Sequence, residues 1–190
     1  IDTAKRLGYT ASRTARSLNA GRTGALVLAF SSATMIGDRD RDPEAGWDIE
    51  FFIRILNGAS AQAFHAGYLL SMIPFDASSR GFLTSTDGVI IVDPAEHDPL
   101  LDLVAETRAN CVTVGRNTRA LSWVDNDFFK ATTEALQHLC RAKPSRPAFF
   151  LTETSSLYVR EELSAYLDWC SGTGTEPVII RSPSVRMDAA

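Results

Sequence analysis

Two spacings of apolar residues alternate along this chain. Short, largely apolar runs fall at Ala25–Phe30, Tyr68–Ile73, Gly88–Val92, Cys111–Gly115, Ala148–Thr152 and Pro177–Arg181. Glycine, proline or polar residues flank these runs, which predicts buried strands. Between the first two runs, Ile49, Phe52, Ile53, Leu56, Ala59 and Ala63 recur at helical spacing. That predicts a helix from about Trp47 to Ala66, stopped at Gly67. Further helices are expected over Ser78–Ser85, Pro99–Arg108 (Leu100, Leu103 and Val104 inward), Phe128–Arg141 and Leu157–Ser171. Ser31–Trp47, with its Asp38-Arg39-Asp40-Arg41-Asp42-Pro43-Glu44 run, is expected as a solvated loop, and Gly172-Thr173-Gly174 as a turn.

Strand and helix alternate throughout, and the strands are apolar without an in–out alternation. A strand buried on both faces needs helices on both faces, so the pattern predicts an α/β fold with parallel sheets and right-handed crossovers. Leu121–Asp125 looks like a short extended crossing. It divides the chain into residues 24–122 and 123–190, with residues 1–23 as a separate N-terminal segment.

Composition adds few surprises. The chain has 190 residues, 45% hydrophobic and 22% charged, ordinary for a globular protein and enough for one sizeable core or two small lobes. No apolar run approaches the roughly 20 residues of a membrane span, so no membrane partner is expected. Cys111, Cys140 and Cys170 are odd in number and widely spaced. They are expected as buried, reduced thiols of a cytoplasmic protein.

Charge is distributed unevenly. The chain carries −4 overall, yet residues 1–24 hold Lys5, Arg6, Arg13, Arg16 and Arg22 against Asp2 alone, so that segment is +4 and the rest −8. A basic end on an acidic body suits a nucleic-acid contact confined to that end. Within it, Gly8 can stop one helix and Ser12 can cap a second, short one over Arg13–Asn19. Ile1 falls inside the first helical pattern, which implies that chain precedes it.

Signs of enzymatic chemistry are missing. His65, His97 and His138 are isolated, and Ser31-Ser32 and Ser155-Ser156 lack a nucleophile-elbow context. There is no Gly-x-Gly-x-x-Gly or phosphate-binding loop. No catalytic residue, cofactor or metal is expected.

A series of motifs then narrows the reading. Leu7-Gly8-Tyr9, Arg13, Ala15-Arg16-Ser17-Leu18 and Gly21-Arg22-Thr23-Gly24 lead into the first strand. Phe51-Phe52, Leu56-Asn57-Gly58, Ala63 and Gly67-Tyr68 precede the second. Asp87-Gly88-Val89-Ile90-Ile91, Asp98-Pro99, Val112-Thr113-Val114-Gly115-Arg116 and Val124-Asp125-Asn126 follow in order. In order and spacing the chain resembles the lactose/galactose-repressor family of bacterial transcription factors. The resemblance implies a homodimer with a helix-turn-helix headpiece, a hinge helix in the DNA minor groove, and a core like a periplasmic sugar-binding protein that holds a small effector. It implies doubly wound parallel sheets in two lobes, reading helices upstream of Ile1, and a second lobe continuing past Ala190. The part present is then expected to expose sheet edge and apolar surface. Two departures stand out. Ala11-Ser12 replaces the family's Pro-Asn. The family's effector arginine falls by strict spacing on Glu162, with Arg160 two residues away.

The candidate residues follow from these readings. Leu18 is expected as an apolar wedge between base pairs, with Arg13, Ala15, Arg16 and Ser17 beside it on operator DNA. The alternative is a leucine packed on its own core. Asp125 either accepts hydrogen bonds from a sugar-like effector or caps the helix that follows. One ring of Phe51 and Phe52 is placed in the effector cleft and the other in the core; both in the core is the alternative. Asp76, after the second strand, and Arg160 complete the effector candidates. Either can equally be a solvated residue. A stand-alone sugar-binding protein is the competing function, and it has no use for a basic hinge. An enzyme on a doubly wound sheet is a third, disfavoured for want of a nucleophile–base pair.

Overall fold

The computed structural model describes residues 6, 21–31, 49–73, 80–141, 146–152 and 156–182. Arg13, Ala15, Arg16, Ser17, Leu18 and Asp76 lie outside the described residues, as do the short basic helix and most of the charged loop after the first strand.

Every predicted strand is present. The elements run β1 (Ala25–Phe30), α1 (Ile49–His65), β2 (Leu69–Met72), α2 (Arg80–Thr84), β3 (Gly88–Val92), α3 (Pro99–Thr107), β4 (Cys111–Val114), β5 (Ser122–Val124), α4 (Phe128–Arg141), β6 (Ala148–Thr152), α5 (Leu157–Thr173) and β7 (Val178–Ser182). β2-β1-β3-β4-β5 form one sheet and β6-β7 another. All pairings are parallel. The crossing segment is therefore itself a strand: β5 pairs with β4 through Val124.

The first sheet is covered on both faces, as its apolar strands require. Val27 and Ala29 of β1 and Val89 and Ile91 of β3 point to one side, with Leu83 of α2 and Leu100, Leu101 and Val104 of α3. Leu28, Phe30 and Val92 point to the other, against Phe52, Ile55, Leu56 and Ala59 of α1. The buried stripe of α1 runs 52, 55, 56, 59, so Ile55 takes the place expected of Ile53, which is 48% exposed. A helical stripe about 100° wide cannot hold both.

Helix ends have identifiable causes. Asp98 caps α3, accepting from the Leu100 N–H at 2.9 Å, and Pro99 begins the helix. The end of α5 differs from expectation. Gly172 and Thr173 continue the helix, and Gly174, at φ +66°, stops it by directing Thr175 N–H to Cys170 C=O at 2.9 Å. In the second sheet's layer, Tyr166 and Cys170 of α5 pack with Leu136 of α4 and Phe149 of β6. Cys170 is buried, whereas Cys111 and Cys140 are only half-buried. Burial raises the Cys111 thiol to about 11, so it stays protonated near neutrality.

The amino-terminal edge of the first sheet is tied to the preceding chain by one carboxylate. Asp87, just before β3, accepts from Thr23 N–H at 2.7 Å and Gly24 N–H at 2.8 Å. The Thr23 hydrogen bond is the main reason its pKa is lowered. A lowered folded pKa stabilises the fold above the unfolded carboxylate's pKa of about 4, and that contribution is lost as pH falls through the folded value. Asp87→Asn keeps one acceptor but turns an N–H donor toward the second amide. It is expected to cost about 1 kcal/mol at pH 7, the lower end for charge-assisted bonds because the site is partly solvated. Urea melts at pH 7 and pH 3 check this: the gap between variant and wild type should narrow at pH 3.

Candidate functional site

The strand order of the first sheet creates a crevice. β1 leads outward to β2 on one side, while β3, β4 and β5 extend the other way. Crossovers therefore leave the carboxyl ends of β1 and β3 in opposite directions, and open α/β sheets bind ligands at that switch point. Ser31 follows β1 there and is fully buried. Its N–H donates to Val92 C=O at 3.0 Å, and its Oγ accepts from Ala95 N–H at 3.3 Å. Asp93 follows β3 with φ +50°, a conformation aspartate tolerates better than most residues. Gly115 follows β4 at φ +106°. A Cβ there would meet only ordinary contacts, 3.4 Å from Pro94 Cδ, so it is the backbone conformation that favours glycine. Asp125 follows β5: Oδ2 accepts from Arg116 N–H at 3.1 Å and Oδ1 from Asn126 N–H at 2.8 Å. The cap of α4 is supplied by Asp127, whose Oδ1 accepts from Lys130 N–H at 2.9 Å.

The first turns of α5 face this edge from the second lobe. Ser156 occupies the N-cap position but its side chain does not cap. Its Oγ donates to Asp93 Oδ2 at 3.1 Å, and its backbone bridges Ala95. Tyr158 rests against the Phe128 ring at 5.2 Å between centroids. Burial raises its phenol first, and the negative charges of Asp93 and Glu162 add to that. Tyr158 and Glu162 are four residues apart and share a helix face. Burial also raises the Glu162 carboxyl. Arg160 makes a two-pronged ion pair with Glu96: Nη1 lies 2.9 Å from Oε1, and Nη2 bonds Oε2. Arg116 Nε lies 2.7 Å from Glu161 Oε1, and its guanidinium stacks 4.8 Å from the centre of Trp123.

The residues expected at the site are thus divided. Asp125 follows β5, two strands beyond β3, and Arg160 lies on α5 against Glu96 of the loop after β3. Phe52 packs edge-on against Phe30 at 5.2 Å in the core beneath it. Phe51 is 42% exposed, near the start of α1, with its ring edge-on to Phe52. Sequence reasoning missed Asp93, Glu96, Ser156 and Tyr158. Asp93 carried a usable signal, because it ends a strand already recognised. Ser156 and Tyr158 carried none. Among the described residues, no group of three or more His, Cys, Asp or Glu could hold a metal ion. Among the same residues, no helix is long and apolar enough to cross a membrane.

This arrangement can grip a small polar molecule between a sheet edge and a helix start, with carboxylates, a phenol and guanidinium groups at hand. The sequence profile described as periplasmic binding proteins and the sugar-binding domain of the LacI family matches residues 41–188. The chain belongs to that family. Among curated proteins no relative matches the sequence. Solved structures share the fold of the LacI-type core. A transcription regulator-like protein from Staphylococcus haemolyticus superposes with TM-score 0.68 at 18% identity, over 85% of this chain and 62% of that one. The transcriptional regulator CelR in complex with cellobiose gives 0.65 at 21%, over 93% and 54%. A periplasmic binding protein/LacI transcriptional regulator from Alkaliphilus metalliredigens, complexed with D-xylulofuranose, gives 0.62 at 15%, over 86% and 58%. The chain spans 54–62% of the length of these three proteins.

Proposed function

We propose that this chain is the effector-sensing part, with the DNA-contacting hinge, of a cytoplasmic transcriptional repressor that responds to a sugar or a similar hydroxyl-rich molecule. The observation that carries the reading is the direct passage from the basic segment Arg13–Thr23 into β1 of a LacI-family core. A stand-alone sugar-binding protein shares the lobes but has no role for that segment.

The effector is placed at the carboxyl edge of the first sheet. Asp125, and Asp76 beyond β2, would accept from hydroxyls, and the exposed Phe51 ring offers an apolar face. An effector that reaches Arg160 must compete with Glu96 for it. Effector binding differs in strength between open and closed lobes, and so shifts their populations. Operator affinity then changes by the reciprocal coupling. On DNA, Leu18 wedges into the minor groove while Arg13, Ala15, Arg16 and Ser17 hold the backbone and groove edges. A homodimer is the functional unit. Its support is the apolar surface at one edge of the molecule, where edge strand β2 exposes Leu69 and Met72 and α1 exposes Phe64.

Two measurements on the full-length protein test this. A thermal-shift screen against a sugar panel should find a stabilising ligand, and operator binding should respond to it. Leu18→Ala should weaken operator binding by about tenfold or more, since the wedge offsets unstacking worth a few kcal/mol. Unchanged operator affinity would remove the wedge, and product formed in a separate turnover screen with sugars and sugar phosphates would remove the repressor reading altogether.

A further inference from the structure

The crevice is bridged by charges whose signs alternate. The first lobe presents Glu96, on the loop after β3, and Arg116, just after β4. The second presents Arg160 and Glu161, consecutive on α5. Glu96 pairs with Arg160 and Arg116 pairs with Glu161. One pair thus has its cation in the second lobe and the other in the first. Sliding α5 one way along the sheet edge brings Glu96 toward Glu161, and sliding it the other way brings Arg116 toward Arg160, so either shift breaks both pairs and sets one like-charge contact in their place.

The loop that carries Glu96 is held firmly. Asp98 accepts from Ala95 N–H at 3.3 Å as well as from Leu100 N–H, and Thr118 Oγ1 donates to Glu96 C=O at 3.0 Å. Ala95 N–H also reaches Ser31 Oγ at the switch point, while the Ala95 backbone bridges Ser156 of the second lobe. One short loop therefore touches both the floor of the crevice and the opposite lobe.

The geometry points to a two-point electrostatic latch, Glu96–Arg160 and Arg116–Glu161, that holds the lobes together in one register and sets how readily the crevice opens. The latch needs only the two-lobed arrangement and stands apart from the repressor reading. The carboxylates are less exposed than the guanidinium groups, at 28% and 23% against 62% and 48%. Pairs this open to water are moderate in strength and sensitive to salt.

Hydrogen exchange on the full-length protein tests it, read at residues 93–98 and 156–162, with small-angle scattering for overall size. Glu96→Arg or Arg160→Glu should speed exchange in both segments by about three- to tenfold and enlarge the radius of gyration. The combined Glu96→Arg/Arg160→Glu exchange of charges should return both readings close to wild type. One molar salt should speed exchange in wild type but barely in either single reversal. Should a reversal fail to fold, Arg160→Gln, which removes the pair without repulsion, takes its place with an expected change of about twofold. Wild-type exchange and size in the single variants, or a double variant no better than the singles, would overturn the latch. A full-length protein that responds to no sugar, yet shows this restoration, would keep the latch and reject the repressor reading.

Discussion

Tyr166→Ala is expected to lower the stability of the full-length protein by about 3–5 kcal/mol in urea denaturation, the range for removing a large aromatic from a core. Tyr166 is fully buried between α5 and the second sheet, with its ring 5.3 Å from that of Phe149 and inclined to it by 30°. Its hydroxyl lies 2.9 Å from Pro147 C=O and 3.1 Å from Val178 C=O, and accepts from Val178 N–H at 2.8 Å. These groups lead into β6 and out of the loop before β7, so a single phenol ties the starts of both strands to the helix. Tyr166→Phe keeps the ring and removes the tie, for an expected cost of about 1–2 kcal/mol. The pH dependence separates the two effects. Burial is the main reason the Tyr166 phenol is raised above its ordinary value of about 10. A raised folded pKa contributes stability below the unfolded pKa, and that contribution is lost as pH rises through the folded value. Wild type should therefore lose stability in alkali faster than Tyr166→Phe. Parallel alkaline melts of the two proteins would contradict the assignment.

Asp98→Ala should have the second largest effect, about 2 kcal/mol, and should reach the crevice as well as the core. The side chain is 1% exposed and serves two amides, Leu100 N–H and Ala95 N–H. Alanine leaves a helix start uncapped and takes one of two acceptors from the buried Ala95 N–H, which keeps only Ser31 Oγ, together worth roughly 2 kcal/mol. Ala95 is the residue that bridges Ser156, so the loosened loop no longer presents Asp93 and Glu96 in a fixed geometry. Asp98→Asn retains the acceptor for Leu100 and should cost about half as much. Urea denaturation with hydrogen exchange at residues 93–98 measures both consequences. A stability loss without faster exchange in that loop would confine Asp98 to capping.

The alternation of strand and helix was legible because each periodicity has a local physical cause. A strand covered on both faces has no polar alternation, and a helix covered on one face shows a stripe. Gly67 and Asp98-Pro99 mark their boundaries by backbone restriction and capping. The reading faltered where two residues could serve one role. Asp125 and Asp127 are both plausible caps for α4, and only the path of the crossing from β5 selects Asp127. Gly172 and Gly174 can each stop a helix, and hydrogen bonding to Cys170 and Ser171 selects Gly174.

The site was harder to read for a related reason. Arg160 entered as a candidate ligand only as the arginine two residues from the family's spacing, and its partner Glu96 lies 64 residues away in the chain and on the other lobe. Ser156 is an ordinary N-cap residue by sequence, and its hydroxyl is drawn instead to Asp93, 63 residues distant. By itself, then, the sequence determined the elements, their parallel arrangement and the presence of a basic end on an acidic body, since each depends on spacing and composition along the chain. Only the tertiary structure decided the strand order, the crevice it opens between β1 and β3, and the pairing of charges across it, because those depend on which distant segments the packing of apolar faces brings together.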